Sequence, residues 1–241
     1  MRKTSLGPHA VGILGGSFNP VHIGHVRLAE EVQRRCAFDP LLIIPTKCPP
    51  HKPPYEVSDE HRLALVRLAF ESVPDTRVST FELESEGPSY AIRTIENFTR
   101  QYAGRPIYFI LGTDAFNDLP SWYAFPDVME ACSFVVVARA GWDSMDADSD
   151  RSKLSRRLAK LVAAGLLKPL DSNAGGEPSP FQRVFATRSG TRICILDVDL
   201  HEVSSTEVRL RLQLGENVTG LVPPNVERYL KSVGVYATGK T

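Results

Sequence analysis

The chain has 241 residues, 42 % of them hydrophobic and 23 % charged, a composition that is typical of folded globular proteins and excludes disorder as the main state. Its 28 basic and 28 acidic residues cancel, so it lacks the basic excess of a general nucleic-acid binder, although a local phosphate site is compatible with this balance. The sequence contains no run of about 18 apolar residues, so no membrane span is predicted. Residues 1–8 lack the apolar segment of a signal peptide.

Strands and helices are predicted to alternate from residue 9 to residue 138. In chain order they are strand 9–14, helix 26–36, strand 41–44, helix 59–72, strand 77–83, helix 89–102, strand 106–111, helix 121–131 and strand 133–138. This order predicts an α/β fold with a mostly parallel sheet and helices on both faces. Because ligands bind such sheets at the carboxyl ends of the strands, we expect the site in loops 15–25, 45–55 and 112–123, with 139–143 as a further candidate.

The stretch 141–190 interrupts this alternation. It holds an acidic run at 143–150, a basic amphipathic helix at 151–165 and a segment rich in Gly, Ser and Pro at 172–180. We interpret it as an insertion or flexible excursion within a single domain spanning 1–241, with charges that indicate a solvated surface rather than a ligand site. A strand at 192–197 and a small helical part, predicted at 204–214 and 224–232, follow it.

The four cysteines are scattered along the chain without a CxxC pair: Cys36, Cys48, Cys132 and Cys194. This pattern is typical of reduced thiols in a cytoplasmic protein. We expect Cys132 and Cys194 to be buried, because both border apolar strands.

The most informative stretch is Gly15-Gly-Ser-Phe-Asn-Pro-Val-His-Ile-Gly-His25. A glycine pair after a strand lets the backbone approach a ligand, and the N-terminus of the following helix favours an anion. His22 and His25 lie three residues apart and can face the same ligand. Free amides and two imidazoles together can bind phosphate and stabilise the charge that develops in phosphoryl or nucleotidyl transfer.

Other interpretations of this stretch fit less well. A zinc site needs about four ligands, and no further ligand has suitable spacing. The dinucleotide pattern GxGxxG and the nucleophile elbow GxSxG are both absent. The residues by themselves leave a phosphate site and a plain turn both open.

The same stretch resembles the signature of nucleotidyltransferases with the HxGH motif, and Ser204-Ser-Thr-Glu-Val-Arg209 is similar to their second signature, SxTxxR. Five further segments resemble bacterial nicotinate-nucleotide adenylyltransferases: Pro49-Pro-His-Lys52, Glu60-His-Arg-Leu63, Gly87-Pro-Ser-Tyr90, Phe109-Ile-Leu-Gly-Thr-Asp-Ala-Phe116 and Leu119-Pro-Ser-Trp122. The resemblance covers about 9–140 and 192–236 and leaves out 141–190.

This resemblance implies a Rossmann-like, doubly wound fold and a reaction of NAD biosynthesis. ATP would donate its adenylyl group to nicotinate mononucleotide, giving nicotinate adenine dinucleotide (deamido-NAD) and pyrophosphate without a covalent enzyme intermediate. Mg²⁺ would be bound mainly through the ATP phosphates, so no metal-ligating residue is assigned. The expected partners are these two substrates, with no nucleic acid and no membrane, and the oligomeric state is left open.

The resemblance also implies roles for single residues. The catalytic residues would be His22, His25 and Arg209, which would stabilise charge on the ATP phosphates. ATP would further contact Gly15, Gly16, Ser17, Phe18, Asp114, Ser205 and Thr206. Nicotinate mononucleotide would contact His51, Lys52, Ser89, Tyr90 and Trp122.

Several of these residues also have a purely structural interpretation. Ser205 and Thr206 could be ordinary N-capping residues, Asp114 a helix cap, Trp122 a half-buried core residue, and the pair His51 and Lys52 a solvated basic loop. Two alternatives apply to the function of the whole chain. The enzyme could use another phosphate acceptor, such as nicotinamide mononucleotide or pantetheine phosphate, or the protein could be a nucleotide-binding regulator without catalysis. Three departures from the family pattern are Asn19, where many members have Asp, Thr46, where the family often has Asn, and Ala91, where many have Thr.

Overall fold

The computed structural model describes residue 6 and residues 9–50, 55–139, 150–171, 179–199 and 203–237. Among these residues, one sheet holds eight strands. They are β1 Val11–Gly16, β2 Leu41–Pro45, β3 Thr76–Val78, β4 Ile107–Gly112, β5 Ser133–Arg139, β6 Lys168–Leu170, β7 Arg183–Ala186 and β8 Arg192–Val198. The helices are α1 Ile23–Cys36, α2 Asp59–Phe70, α3 Phe81–Glu84, α4 Ala91–Gln101, α5 Thr113–Asn117, α6 Asp127–Ala131, α7 Asp150–Ala163, α8 Ser205–Gln213 and α9 Pro224–Val233.

The strand order is β3-β2-β1-β4-β5-β8-β7-β6. The first six strands of this order run parallel, and β7 and β6 join antiparallel at one edge. The chain moves outward from β1 in one direction through β2 and β3, then returns to place β4 on the other side of β1. The carboxyl ends of β1 and β4 therefore form the switch point at which doubly wound sheets bind ligands, which confirms the predicted fold class.

Each face of the sheet is covered by helices because side chains alternate along the strands. In β1 and the residue before it, Ala10 and Leu14 pack in the core beneath α1, α2, α8 and α9, whereas Val11 and Ile13 pack in the core beneath α4, α5, α6 and α7. The continuous apolar run of β2 is buried at all five positions, as expected for a strand with helices on both sides. Cys132 and Cys194 are buried as predicted, and all four cysteines are free.

Two predicted elements were wrong in part. The strand predicted at 77–83 ends at Val78, because the Ser79 hydroxyl accepts a hydrogen bond from the N–H of Phe81 and starts the short helix α3. The helix predicted at 121–131 is a 3₁₀ turn at Leu119–Ser121 followed by α6. Pro126 lies in this span, and a proline cannot donate the backbone hydrogen bond that a continuous helix needs.

The described parts of 141–190 pack onto the sheet. In α7, Leu154, Leu158 and Leu161 recur at helical spacing and are buried in the core under α4–α6. The β7 strand pairs with β8, and β6 pairs with β7, so this stretch extends the sheet by two strands. Of the candidate loop 139–143, residues 140–143 lie outside the described residues. No helix within the described ranges has the length and apolar character needed to cross a membrane.

Candidate active site

The loop after β1 is shaped by a glycine and an aromatic ring. A Cβ atom on Gly16 would lie 2.9 Å from the Phe18 ring, so this position requires glycine, whereas a Cβ on Gly15 would make only ordinary contacts. Phe18 has a positive φ of 43° and turns its ring into the core, 5.0 Å from the His25 ring and 5.9 Å from that of Phe70. The loop is thereby held tightly at the carboxyl end of β1, directly before α1.

His22 and His25 lie at the start of α1 and face each other. Their ring centroids are 3.7 Å apart, and the N–H of His22 donates to Nδ1 of His25 over 3.2 Å. Because Nδ1 of His25 is an acceptor, the proton of the neutral imidazole lies on Nε2, which can donate to a ligand. Nδ1 of His22 is buried and has no partner among the described residues.

Burial sets the charge of this pair. It lowers the pKa of His22 to about 4, and burial together with the neighbouring His22 lowers the pKa of His25 to about 3. Both imidazoles are therefore neutral at pH 7. They offer hydrogen bonds to an anion without the cost of burying two positive charges side by side.

Two cavities meet at this histidine pair. The first, about 410 Å³, lies across the ends of β1 and β4 and reaches Tyr90 and Trp122. The second, about 600 Å³, lies between the loop after β1, the start of α8 and Tyr236. Ser17, Phe18 and His25 line both cavities. After the ligands that the family resemblance predicts for them, we name the first the acceptor cavity and the second the triphosphate cavity.

The start of α8 supplies polar groups to the triphosphate cavity. Ser204 caps this helix with its hydroxyl, which accepts from the N–H of Glu207, so Ser205 and Thr206 are the first residues of the helix and not its cap. Arg209 donates to the carbonyl of Asn19 over 2.6 Å and to the Thr206 hydroxyl over 3.1 Å. A guanidinium has five N–H donors, so hydrogen-bonding capacity remains for an anion.

Aromatic side chains form the far end of the acceptor cavity. Trp122 is half-buried and packs edge-on against Phe109 with a centroid distance of 6.1 Å. Tyr90 stacks on Tyr123 at 4.4 Å, and Tyr123 is 61 % exposed. These flat surfaces can hold a planar ring.

The wall of the acceptor cavity also carries one buried carboxyl group. Oε1 of Glu82 accepts from the Thr94 hydroxyl over 2.7 Å, and Oε2 has no partner among the described residues. Burial raises the pKa of this carboxyl. The hydroxyl of Ser89 accepts from the N–H of Cys48, which ties this wall to the loop after β2.

Most of the residues singled out from the sequence lie in these two cavities. The acceptor cavity is lined by Gly15, Gly16, Ser17, Phe18, His25, Ser89, Tyr90 and Trp122, and the triphosphate cavity by Ser17, Phe18, His25, Ser205, Thr206 and Arg209. His22 is buried beside His25. Asp114 is exposed in the first turn of α5 and lines neither cavity. His51 and Lys52 lie outside the described residues, so their roles, like those of the others, stay predictions.

Sequence reasoning missed several residues of the site. Glu82 and Tyr123 line the acceptor cavity, Tyr236 lines the triphosphate cavity, and Arg62 lies fully buried behind the loop after β1. Arg62 lies within the family-like segment Glu60-His-Arg-Leu63, but a charged residue in a helical pattern usually faces solvent, so the sequence predicts no role for it. Glu82 lies in the predicted strand 77–83, where a single carboxyl gives no signal of burial. Tyr123 follows Trp122 directly and could have been included as a second aromatic residue of the same loop.

No group of three or more His, Cys, Asp or Glu side chains in the described part of the chain could hold a metal ion. Glu56 is the single carboxylate among the described residues that line the triphosphate cavity. This donor set fits a cation that is held mainly by its substrate and not by a protein cage.

Comparison with known proteins identifies the family. The cytidylyltransferase-like family pattern matches residues 13–211. A protein of Geobacter sulfurreducens is 37 % identical over 94 % of this chain and 97 % of its own length, and one of Pelobacter propionicus is 35 % identical over 94 % and 98 %. Both are named probable nicotinate-nucleotide adenylyltransferase.

A solved structure shares the fold. The nicotinic acid mononucleotide adenylyltransferase of Plasmodium falciparum, solved in complex with NaAD, superposes with a TM-score of 0.66 and covers 94 % of this chain and 97 % of its own, at 15 % identity. This likeness concerns the fold alone. By the sequence relationship across nearly its whole length, the chain belongs to the nicotinate-nucleotide adenylyltransferase family of cytidylyltransferase-like proteins.

Proposed function

We propose that this enzyme transfers the adenylyl group of ATP to nicotinate mononucleotide and releases pyrophosphate, forming nicotinate adenine dinucleotide. The observation that carries the proposal is the meeting of two cavities at His25. One is lined by anion-binding groups and the other ends in aromatic rings. This arrangement supports binding of the triphosphate on one side of His25 and of a pyridine mononucleotide on the other.

The reaction itself needs positioning and charge stabilisation more than a protein nucleophile. An oxygen of the mononucleotide phosphate attacks the α-phosphorus of ATP, the bond to the bridging oxygen breaks, and its electron pair leaves on pyrophosphate. Nε2 of His25 donates to the phosphates beside the reacting centre. Arg209 and the N-terminus of α8 bind the departing β- and γ-phosphates, which carry the growing negative charge.

Mg²⁺ is proposed to enter with ATP. Its chemistry here is to neutralise part of the triphosphate charge, which would otherwise repel the anionic acceptor. The enzyme is proposed to be cytoplasmic, in keeping with its free cysteines.

The end of the acceptor cavity favours a ring that carries a carboxylate. Helix α4 begins at Ala91, directly after Tyr90 in the cavity wall, and its first turn contains no acidic residue. The Glu82 carboxyl bonds to Thr94 in this turn, and burial raises the pKa of this carboxyl, which weakens the negative charge that it places beside the helix. The positive end of the α4 dipole therefore still favours an anion at the ring site. The electrostatic attraction to this helix end is stronger for a carboxylate than for a neutral carboxamide. We therefore prefer nicotinate mononucleotide over nicotinamide mononucleotide as the acceptor.

Pyrophosphate release from Mg-ATP tests the proposal. We expect release with nicotinate mononucleotide and much slower release with nicotinamide mononucleotide, at equal concentrations of acceptor. Equal rates with both would contradict the preference for the carboxylate. Release with neither, or only with pantetheine phosphate, would contradict the proposed function.

Trp122→Ala is expected to raise the KM for nicotinate mononucleotide by about 5- to 100-fold, the loss typical when an aromatic side chain that stacks on a base is truncated. The KM for ATP should change little, because the indole lies at the far end of the acceptor cavity from Arg209. Trp122→Phe, which keeps a flat ring, should recover part of the loss. An unchanged KM for the mononucleotide in Trp122→Ala would refute the stacking role.

A further inference from the structure

The acceptor atoms of the loop at residues 17–20 are bound by donors from distant parts of the chain. Arg62 Nη1 donates to the Ser17 carbonyl (2.8 Å), Arg209 Nη1 to the Asn19 carbonyl (2.6 Å), the Tyr236 hydroxyl to Asn19 Oδ1 (2.7 Å) and the Ser205 hydroxyl to the Pro20 carbonyl (2.9 Å). These donors come from α2, α8 and the segment after α9. The loop is thus held by four hydrogen bonds, each with a sequence separation of at least 45 residues.

The N–H groups of residues 17–19 in the same loop have no acceptor in the part of the chain that the structure describes. Within the described ranges, no backbone or side-chain group accepts a hydrogen bond from the N–H of Ser17, Phe18 or Asn19. All three residues line the triphosphate cavity. A loop that binds an anion needs its carbonyl oxygens directed away from the ligand, since they would repel it, and its N–H groups available.

Arg62 is the most unusual of the four donors because its side chain is completely buried. It forms an ion pair with Asp59 one helical turn earlier, and the Tyr55 ring stacks on its guanidinium at 4.1 Å. Since the side chain has no access to either cavity, Arg62 cannot touch a substrate. Burying a guanidinium costs free energy unless its charge is paired and its N–H groups find acceptors. Its Nη atoms bond to Asp59 and to the carbonyl of Ser17, whereas Nε has no partner among the described residues.

Tyr236 reaches the loop from the last described segment of the chain. It has a positive φ of 70°, an uncommon conformation for a residue with a side chain, and its ring lines the triphosphate cavity. Burial raises the pKa of this phenol, so it stays protonated and remains a donor. Its hydroxyl holds the side chain of Asn19, whose carbonyl is held by Arg209.

We propose that Arg62 and Tyr236 are positioning residues of the ATP site. They donate hydrogen bonds to oxygen atoms of residues 17–20, so that the loop presents its N–H groups to the triphosphate. The proposal rests on the proposed use of ATP and adds two residues to that site. Neither residue takes part in the chemical step. Their loss should therefore weaken the binding of ATP and leave the binding of the mononucleotide nearly unchanged.

Tyr236→Phe tests the proposal with the smallest change. We expect the KM for ATP, and the Kd for Mg-ATP measured without acceptor, to rise about three- to tenfold, the effect of losing one hydrogen bond. The KM for nicotinate mononucleotide should stay within twofold of wild type. Tyr229→Phe is the matched control, because it removes a hydroxyl that bonds to His61 at 2.9 Å, away from both cavities.

A double-mutant cycle assigns the effect to the bond between Tyr236 and Asn19. Asn19→Ala removes the acceptor and should weaken ATP binding about as much as Tyr236→Phe. The double variant should be no weaker than either single variant, because both changes break the same bond. Strictly additive losses would overturn the assignment of Tyr236 to this bond.

Arg62→Lys tests the second residue while keeping its charge. A lysine cannot hold both the Asp59 carboxylate and the Ser17 carbonyl with the geometry of a guanidinium fork, so we expect weaker ATP binding and an unchanged far-ultraviolet circular dichroism spectrum. A folded Arg62→Lys variant that binds Mg-ATP as tightly as wild type would overturn the role of Arg62. The rise in melting temperature that Mg-ATP produces should be smaller in Tyr236→Phe than in wild type, which tests Tyr236 separately.

Two outcomes would overturn the inference. The first is a Tyr236→Phe variant that binds Mg-ATP as tightly as wild type, and the second is one whose KM values for ATP and mononucleotide rise equally, as a general loss of structure would cause. Failure of the proposed function is distinguishable, since it would abolish pyrophosphate release in the wild type. Binding of Mg-ATP alone is measured independently of any acceptor.

Discussion

Replacing His25 with alanine is expected to lower kcat for pyrophosphate release by about 10²- to 10⁴-fold, the range found when a preorganised donor or a general acid is removed. The reason is the position of His25 between the two cavities and the orientation of its ring. Its Nδ1 is occupied by the N–H of His22, so Nε2 carries the proton and can donate to the phosphates. Turnover is measured at saturating concentrations of both substrates, where a loss of binding does not contribute.

Two further substitutions at this position separate catalysis from support of the helix start. His25→Asn keeps an acceptor near the position of Nδ1 and loses the donor at Nε2, so we expect it to be as inactive as His25→Ala. His25→Gln places an amide N–H₂ near Nε2 and should recover part of the activity. Full activity in His25→Asn would show that the ring only supports the N–H of His22 and would contradict the catalytic role.

The matched control is His61→Ala. His61 is a histidine in α2 that bonds to Tyr229 and lines neither cavity. Its removal should leave kcat near the wild-type value. A loss equal to that of His25→Ala would mean that the assay reports general damage to the fold.

Arg209→Met is expected to lower kcat/KM for ATP by about 10- to 150-fold for each charge-assisted hydrogen bond to phosphate that is lost. Arg209 lines the triphosphate cavity and is held in place by Asn19 and Thr206. Arg209→Lys should be intermediate, because an ammonium group keeps the charge and loses the bidentate geometry. The KM for nicotinate mononucleotide should change much less.

Arg211 provides the control on the same helix. Its guanidinium is paired with Glu207 at 2.9 Å, and it lines neither cavity. Arg211→Met should therefore keep kcat/KM for ATP close to wild type, since an exposed pair of this kind contributes little. If Arg211→Met and Arg209→Met lose the same activity, the role of Arg209 in binding the phosphates is contradicted.

The elements that position the site were predictable because their signals are local. The apolar run of β2 ending in Pro45 and the capping residue Ser58 before α2 each act within a few residues of the chain. The HxGH stretch likewise lies in one continuous segment, so its glycines and histidines could be recognised together. The helix predicted at 121–131 was wrong in part because this span includes Pro126, whose nitrogen cannot donate the backbone hydrogen bond of a continuous helix.

In the described parts of 141–190, the charge pattern of the sequence is a poor guide to which residues are buried. Its alternating blocks of acidic and basic residues favoured a solvated excursion, yet α7 buries three leucines at helical spacing. Strands β6 and β7 are short, and the former is exposed throughout. Such short strands near the edge of a sheet carry a weak hydrophobic signal because only part of their surface is buried.

By itself, the sequence determined the alternation of strands and helices, the loop that carries His22 and His25, and the helix that carries Arg209. These follow from hydrophobic periodicity, capping residues and motifs that are contiguous in the chain. Only the tertiary structure decided that Arg62 and Tyr236 hold the same loop, across 45 and 217 residues of sequence respectively. The physical reason is that a hydrogen bond between distant segments depends on how the chain packs, and a single buried donor leaves no periodic pattern in the sequence around it.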